Sequence, residues 1–318
     1  MDNNIYSDFA YDDAFRTIET YCDDVLIAFI NYFFNENYTG KAKIVRLRNE
    51  HFSMHEDHSE NKSITDSHVA VSENGRIAKY HIECESGLYD DSLLVKMFKY
   101  DSQIAIDSSR YDNGKLYIVL PYSGLLLLRG GLKTPSNATA VIKTPNGEVE
   151  YNIPIIKICD YSVEDLFDKK LYYLLPFFIF NLERNLESYN EDTERLEELA
   201  QKYREMLNKL EVQVNEGRLS SFSNGVIISL IHSVFYKIAY KHERVRERMD
   251  DVMGGKVMEL DFVKKYFEAQ NAGMEAGLAE GRAKEHDSDV EKLALHYMKE
   301  DPSLSHEDAI ARANAILR

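Results

Sequence analysis

Asn74-Gly75, set between two alternating runs, constrains this chain more than any other feature. Both central positions of a two-residue hairpin turn need positive φ, and Asn-Gly between alternating segments is the strongest short-range signal for such a turn. The flanking segments read TDSHVAVS and RIAKYHIECE, so the turn sets the register: His68 faces His81 and Asp66 faces Glu83. Side chains alternate with period two and facing residues share a face. One face therefore collects Asp66, His68, His81, Glu83 and Glu85. The other collects Val69, Val71, Tyr80, Ile82 and Cys84, which is a core pattern.

Facing carboxylates repel. With Cβ atoms roughly 5 Å apart, the repulsion at an effective dielectric of ~20 is about 3 kcal/mol. A fold relieves it by protonating one group, by swinging both into water, or by binding a cation. Hard divalent ions prefer oxygen ligands, and Mg²⁺ typically takes one or two carboxylates plus substrate phosphate. Two readings stand side by side: a Mg²⁺ site for phosphodiester hydrolysis, or an exposed hairpin whose outer face is simply polar.

The hairpin sits in a chain of 318 residues with 44% hydrophobic and 11% aromatic content, an ordinary globular composition. Cys22, Cys84 and Cys159 are too widely spaced for a disulfide framework or a zinc ligand set, which favours a reducing, cytoplasmic setting. The acidic start, MDNNIYSDFAYDD, lacks the basic and apolar regions of a signal peptide. The longest apolar run, Tyr172 to Phe180, is far short of the ~20 residues of a membrane span, so no membrane contact is expected. A net charge of −16 argues against generic nucleic-acid binding. Any such contact needs a local patch, and Lys41, Lys43, Arg46 and Arg48 supply the clearest one; a solvated basic strand is the plainer reading.

Apolar spacing predicts a helix over residues 8–34, a strand over 41–48, a polar loop over 50–63, then the hairpin. A helix over 92–107 follows, with Lys96, Lys99, Tyr100 and Gln103 on its polar face. Strands are expected over 116–121, 124–128, 138–144 and 149–158, with Pro145-Asn146-Gly147 turning a second hairpin. The fold class is α/β (α+β), a mixed sheet with flanking helices over residues 1–160. Ser162 caps an all-helical region over 161–255, with helical spacing through 170–189, 191–217 and 225–248, and Pro176 as a kink or helix start. Residues 256–318 form a helical tail in which Gly273, Gly277 and Gly281 recur every fourth residue. Each glycine costs a helix about 1 kcal/mol against alanine, so the stripe reads as a loose or partner-facing helix through which copies of the chain would associate.

With these segments in place the chain resembles the Rpn-type recombination-promoting nucleases, also described as PD-(D/E)XK nuclease family transposases. The matching segments are YDDAFRTI (11–18), ENYTGKAKIVRLRNEHF (36–52), ITDSHVAV (64–71), KYHIECES (79–86), FKYDSQIAID (98–107), TPNGEVEYNIP (144–154) and FDKKLYYLLPFFIFN (167–181). They run in family order, and the helical remainder with its glycine repeat also fits. The resemblance implies a restriction-endonuclease-like core over 1–160 and Mg²⁺-dependent DNA cleavage. The acidic motif residues map to Asp66 and Glu83, with Asp13 or Glu50 completing the metal site. The third motif position, lysine or in this family glutamine, falls on Glu85. That is a departure, because a carboxylate cannot donate to water or stabilise negative charge as lysine does; it would instead add a metal ligand. Lys96 or Lys99, one turn into the next helix, would supply the missing cation.

Other readings compete. His68 and His81 flank the site and offer proton transfer or plain structural roles. His51, His55 and His58 form a second metal constellation, but without helical patterning or a hydrolase motif around them. A non-enzymatic interaction protein on a retained nuclease fold is the main alternative; Glu85 and the acidic surface favour it, and intact Asp66 and Glu83 disfavour it.

Overall fold

The computed structural model describes residues 5–47, 50–54, 60–131, 133–254, 305–306 and 310, with side chains outside 5–10, 50–54 and 60–64. In chain order the elements are α1 (Ile5–Tyr21), α2 (Asp23–Phe33), β1 (Lys43–Arg46), β2 (Glu50–Met54), β3 (Glu60–Ile64), β4 (Ser67–Glu73), β5 (Arg76–Glu85), α3 (Ser92–Asp107), β6 (Arg110–Asp112), β7 (Lys115–Tyr117), β8 (Tyr122–Leu127), β9 (Asn137–Thr144) and β10 (Gly147–Lys157). Then come α4 (Val163–Asp168), a 3₁₀ segment (Tyr172–Asn181), α5 (Leu186–Glu191), α6 (Thr193–Asn215), α7 (Ser221–Ile238) and α8 (Glu243–Met253).

A six-stranded mixed sheet, ordered β1-β4-β5-β8-β10-β9, makes the centre. The β4–β5 hairpin has the register its turn predicts, with His68 opposite His81 and Glu73 opposite Arg76. Asn74 and Gly75 take φ of 51° and 81°, the left-handed pair that a two-residue turn requires. β5 pairs in parallel with β8, and β8 with β10, so the sheet is parallel in its middle and antiparallel at both ends.

Each sheet face has its own cover. α3 lies over the face carrying Leu125, Leu127, Ile153 and Ile155, and Met97 packs into that cluster. By the β5–β8 register this is also the face of His81 and Glu83. The polar face of the hairpin is therefore inside the protein, and the exposed-hairpin reading fails. On the opposite face Phe33 of α2 abuts Gly124, and Tyr173 stacks on Phe29 with ring centroids 4.5 Å apart. Tyr173 also donates to the Phe15 carbonyl at 2.8 Å, joining the 3₁₀ segment to α1.

Several sequence expectations are corrected. The helix over 8–34 is two helices broken at Cys22, because Asp23 and Asp24 open a new N-terminal turn. The polar loop over 50–63 contains an antiparallel ribbon, Glu50 opposite Ile64 and Met54 opposite Glu60. Of residues 116–121 only the first two are in a strand, within a ribbon turned by Asn113-Gly114. The helix expected over 170–189 is instead 3₁₀ over 172–181; Tyr172 to Phe180 are buried on all sides, so no single apolar stripe imposes a 3.6-residue period. Ser162 does cap α4, in a reciprocal box with Asp165. Residues Met1–Met258 form one compact unit and Glu259–Arg318 a second. The glycine stripe lies outside the described residues.

Gly124 marks where sheet and α2 touch. A Cβ there would sit 2.8 Å from the Phe33 ring, which is itself wedged against Phe29 and Phe34. Gly124→Ala should destabilise the fold by about 1–3 kcal/mol, read as a lower urea midpoint at unchanged m-value. An unchanged midpoint would mean that Phe33 is free to give way.

Candidate active site

Asp66 immediately precedes β4, while Glu83 and Glu85 sit near the end of β5 on the α3 side. The hairpin pairing continues one step further through side chains. The Asp66 amide donates to Glu83 Oε1 at 3.1 Å, and the Cys84 amide donates to Asp66 Oδ2 at 3.0 Å. Glu83 is only 1% exposed.

The chain itself answers the repulsion expected between these carboxylates. Arg16 of α1 donates to Asp66 Oδ1 at 3.1 Å. His81 Nε2 meets Glu83 Oε1 at 3.0 Å, and the Lys96 ammonium lies 2.8 Å from Glu83 Oε2 and 2.6 Å from Glu85 Oε1. Lys96 also lies over the Tyr100 ring, 5.5 Å from its centroid. Behind His81, its Nδ1 meets Asp101 Oδ1 at 2.7 Å; Asp101 is fully buried and accepts the Ser123 hydroxyl at 2.6 Å and the Tyr151 hydroxyl.

Protonation follows from this environment. Burial, with Glu83 beside it, raises the Asp66 carboxyl to about 7. Burial also dominates at Asp12, raised to about 6 against the pull of Arg16 and with a push from Glu85. For His81 burial alone would lower the pKa, but Asp101 and Glu83 together raise it to about 9. Glu83 is held below the usual carboxylate range: burial opposes this, and His81 and Lys96 outweigh burial. Lys96 is raised likewise, its desolvation outweighed by Glu83 and Glu85.

The structure thus brings together Asp66, Glu83, Glu85 and Lys96. Asp13 is exposed on α1; the neighbouring Asp12 faces the cluster instead, because one residue turns a helix by about 100°. Lys99 is exposed on α3. Glu50 begins β2, and its side chain lies outside the described residues, as do His55, His58 and Arg48. Within the described part of the basic run, Arg46 stands apart from Lys41 and Lys43. Lys41 and Lys43 are exposed, whereas Arg46 folds back to donate to the Glu19 carbonyl and to Asp23.

Sequence reasoning missed Asp12, Arg16 and Asp101. Asp12 and Arg16 are four apart on α1, as neighbours on one helix face must be. Asp101 sits at a core phase of α3 with Met97, Ile104 and Ala105, and a charge within an apolar stripe was the available signal.

Among the described residues no group of three or more His, Cys, Asp or Glu side chains surrounds a common metal position. Mg²⁺ needs fewer, since one or two carboxylates plus waters and phosphate oxygens suffice. Charge supports the fit. Asp12, Asp66, Glu83, Glu85 and Asp101 are five carboxylates against three cations, Arg16, Lys96 and protonated His81, which leaves two unmatched negative charges when all are ionised. No protein-family model matches the chain, and no curated protein or solved structure matches it.

The raised Asp66 carboxyl has a measurable consequence without metal. Between about pH 4 and 7 the folded chain holds a proton there that the unfolded chain has released, so this group lowers stability as pH rises through that window. Asp66→Asn removes the effect. In chelator, its stability relative to wild type should grow from pH 4 to 7 by up to about 4 kcal/mol and then level off. A difference independent of pH would show that Asp66 titrates as an ordinary carboxylate.

Proposed function

We propose that this chain is a Mg²⁺-dependent DNA endonuclease of the recombination-promoting type, on a restriction-endonuclease-like core. The observation that carries the reading is the convergence of Asp66, Glu83, Glu85 and Lys96 on the α3 side of one strand end, with Asp12 and Arg16 closing it from α1. The ordered resemblance of segments 11–18 through 167–181 supports it, and a mixed sheet with helices on both faces is the architecture that resemblance implies.

Asp66 and Glu83 would hold Mg²⁺, with Glu85 and Asp12 nearest at hand. The ion, when bound, supplies Lewis-acid activation of water and neutralises charge on the phosphate. The chain's own groups do the rest. Arg16 holds Asp66 Oδ1, and the two backbone amides fix how Asp66 and Glu83 face each other. Lys96, with 38% of its side chain exposed, is the cation positioned to meet a phosphate oxygen, and Glu85 holds its ammonium in place. Lys96 thereby takes the donor role that Glu85 cannot fill. Lys41 and Lys43 track the DNA backbone.

A second reading, an interaction module on the same fold, is favoured by the fact that Arg16, His81 and Lys96 already neutralise the paired carboxylates. Nicking of supercoiled DNA separates the two. Cleavage should require Mg²⁺ and vanish in Asp66→Ala. Lys96→Met should lower kcat by about 10²–10³-fold, and Glu85→Gln, which loosens the hold on Lys96, should raise it. Wild-type protein that leaves DNA intact at millimolar Mg²⁺ would favour the interaction module.

DNA contact should be weak and salt-sensitive, because a net charge of −16 repels a polyanion at long range. Replacing Lys41 and Lys43 by alanine should flatten the plot of log affinity against log salt by up to about 1.8, near 0.9 per lost phosphate contact. Arg46→Ala should instead lower stability and leave the slope alone. A slope unchanged by the double replacement would move the DNA surface elsewhere.

A further inference from the structure

The two oxygens of Glu83 are treated unequally. Oε1 accepts from the Asp66 amide and meets His81 Nε2, both held by the sheet, whereas Oε2 is met by the half-exposed Lys96 ammonium at 2.8 Å. Rotamer preference does not set this choice, since the terminal torsion of glutamate is broad and nearly two-fold. The donors on Oε1 set it.

His81 is in turn fixed from behind. Its Nδ1 lies 2.7 Å from Asp101 Oδ1, and Asp101 is anchored by Ser123 of β8 and Tyr151 of β10. The ring has carboxylate oxygens at both nitrogens. A neutral imidazole carries one N–H, so satisfying both contacts needs the doubly protonated ring. The chain Tyr151 and Ser123 to Asp101 to His81 to Glu83 spans β10, β8, α3 and β5 and is buried along its ionic members.

We propose that Asp101 and His81 are a positioning pair that pins Oε1 of Glu83, so that Oε2 is the oxygen presented to the bound cation. The inference rests on the Mg²⁺-site reading above. Outer partners of this kind typically change metal affinity or activity by about 10–100-fold when removed.

The test uses the full chain and Mn²⁺ as the probe, with binding read by electron paramagnetic resonance and, in parallel, the rise in Tm caused by Mg²⁺. Asp101→Asn and His81→Ala should weaken Mn²⁺ binding about 10–100-fold, and His81→Gln, which keeps a side-chain donor, should recover part of the loss. Tyr80→Phe is the control. Its hydroxyl is bonded to Tyr38 at 2.8 Å and Glu36 at 2.9 Å, so losing it should lower the metal-free Tm and leave metal affinity unchanged. If His81→Ala does not fold, the isosteric Asp101→Asn carries the test alone. Wild-type affinity in the folded variants would overturn the positioning pair and leave the metal reading standing. Failure of the wild type to bind Mn²⁺ would overturn both.

Discussion

Glu83 is a carboxylate on an interior strand, and its burial is the constraint that organises its surroundings. β5 is hydrogen-bonded on both sides, by β4 and β8, and α3 closes the face on which Glu83 points. An ionised group there costs several kcal/mol unless it is paired and hydrogen-bonded. The backbone amide of Asp66, His81 and Lys96 meet that need from three directions. Satisfying Glu83 with His81 creates a second requirement, because the far nitrogen of the ring also needs a partner. Asp101 provides it and then needs donors of its own, which Ser123 and Tyr151 supply. One buried charge thus recruits residues from β5, α3, β8 and β10.

Beside this polar chain α3 also presents Met97 to Leu125, Leu127, Ile153 and Ile155, with Leu93, Leu94 and Tyr151 at the margin. The two kinds of contact divide the task. Apolar burial is non-directional and holds the helix on the sheet. The ionic chain is directional and fixes the helix in register with the strands, because sliding α3 by one residue would separate Asp101 from His81 and Lys96 from Glu83 and Glu85. Tyr151 takes part in both, its ring against the apolar cluster and its hydroxyl on Asp101.

The hairpin was legible because its determinants are local. A turn that demands positive φ and a strict two-residue period fix the pairing, and no distant contact is needed to choose it. The α3 boundaries, Ser92 to Asp107, were legible for the same reason. What lay beyond the sequence was non-local. Period two told which residues share a face but not that α3 returns to cover the polar one. The choice between Asp12 and Asp13 depended on the phase of α1 against the sheet, and Arg46 turned inward because the end of α1 presents a carbonyl to it. The 3₁₀ geometry of 172–181 was hidden because a segment buried on every side carries no amphipathic period. Lys96 and Lys99 were both named through the family resemblance, and the phase of α3 against β5 decides between them: Lys96 reaches Glu83 and Glu85, and Lys99 is exposed.

Glu85 changes the electrostatics more than a single position suggests. A neutral residue there would leave the cluster with one unmatched negative charge; with glutamate there are two, the charge of one divalent ion. Without that ion, burial raises Asp66 and Asp12 toward neutrality, helped by Glu83 at the first and by Glu85 at the second, while Glu83, held by His81 and Lys96, is not raised. Binding a divalent cation would then displace protons from the first two groups, so affinity is tied to pH in the range where they titrate. The same carboxylate that strengthens the demand for a cation also holds Lys96 at 2.6 Å. Glu85 therefore acts in opposite senses on the two parts of the proposed chemistry: it favours loading of the metal and restrains the ammonium that must meet the phosphate.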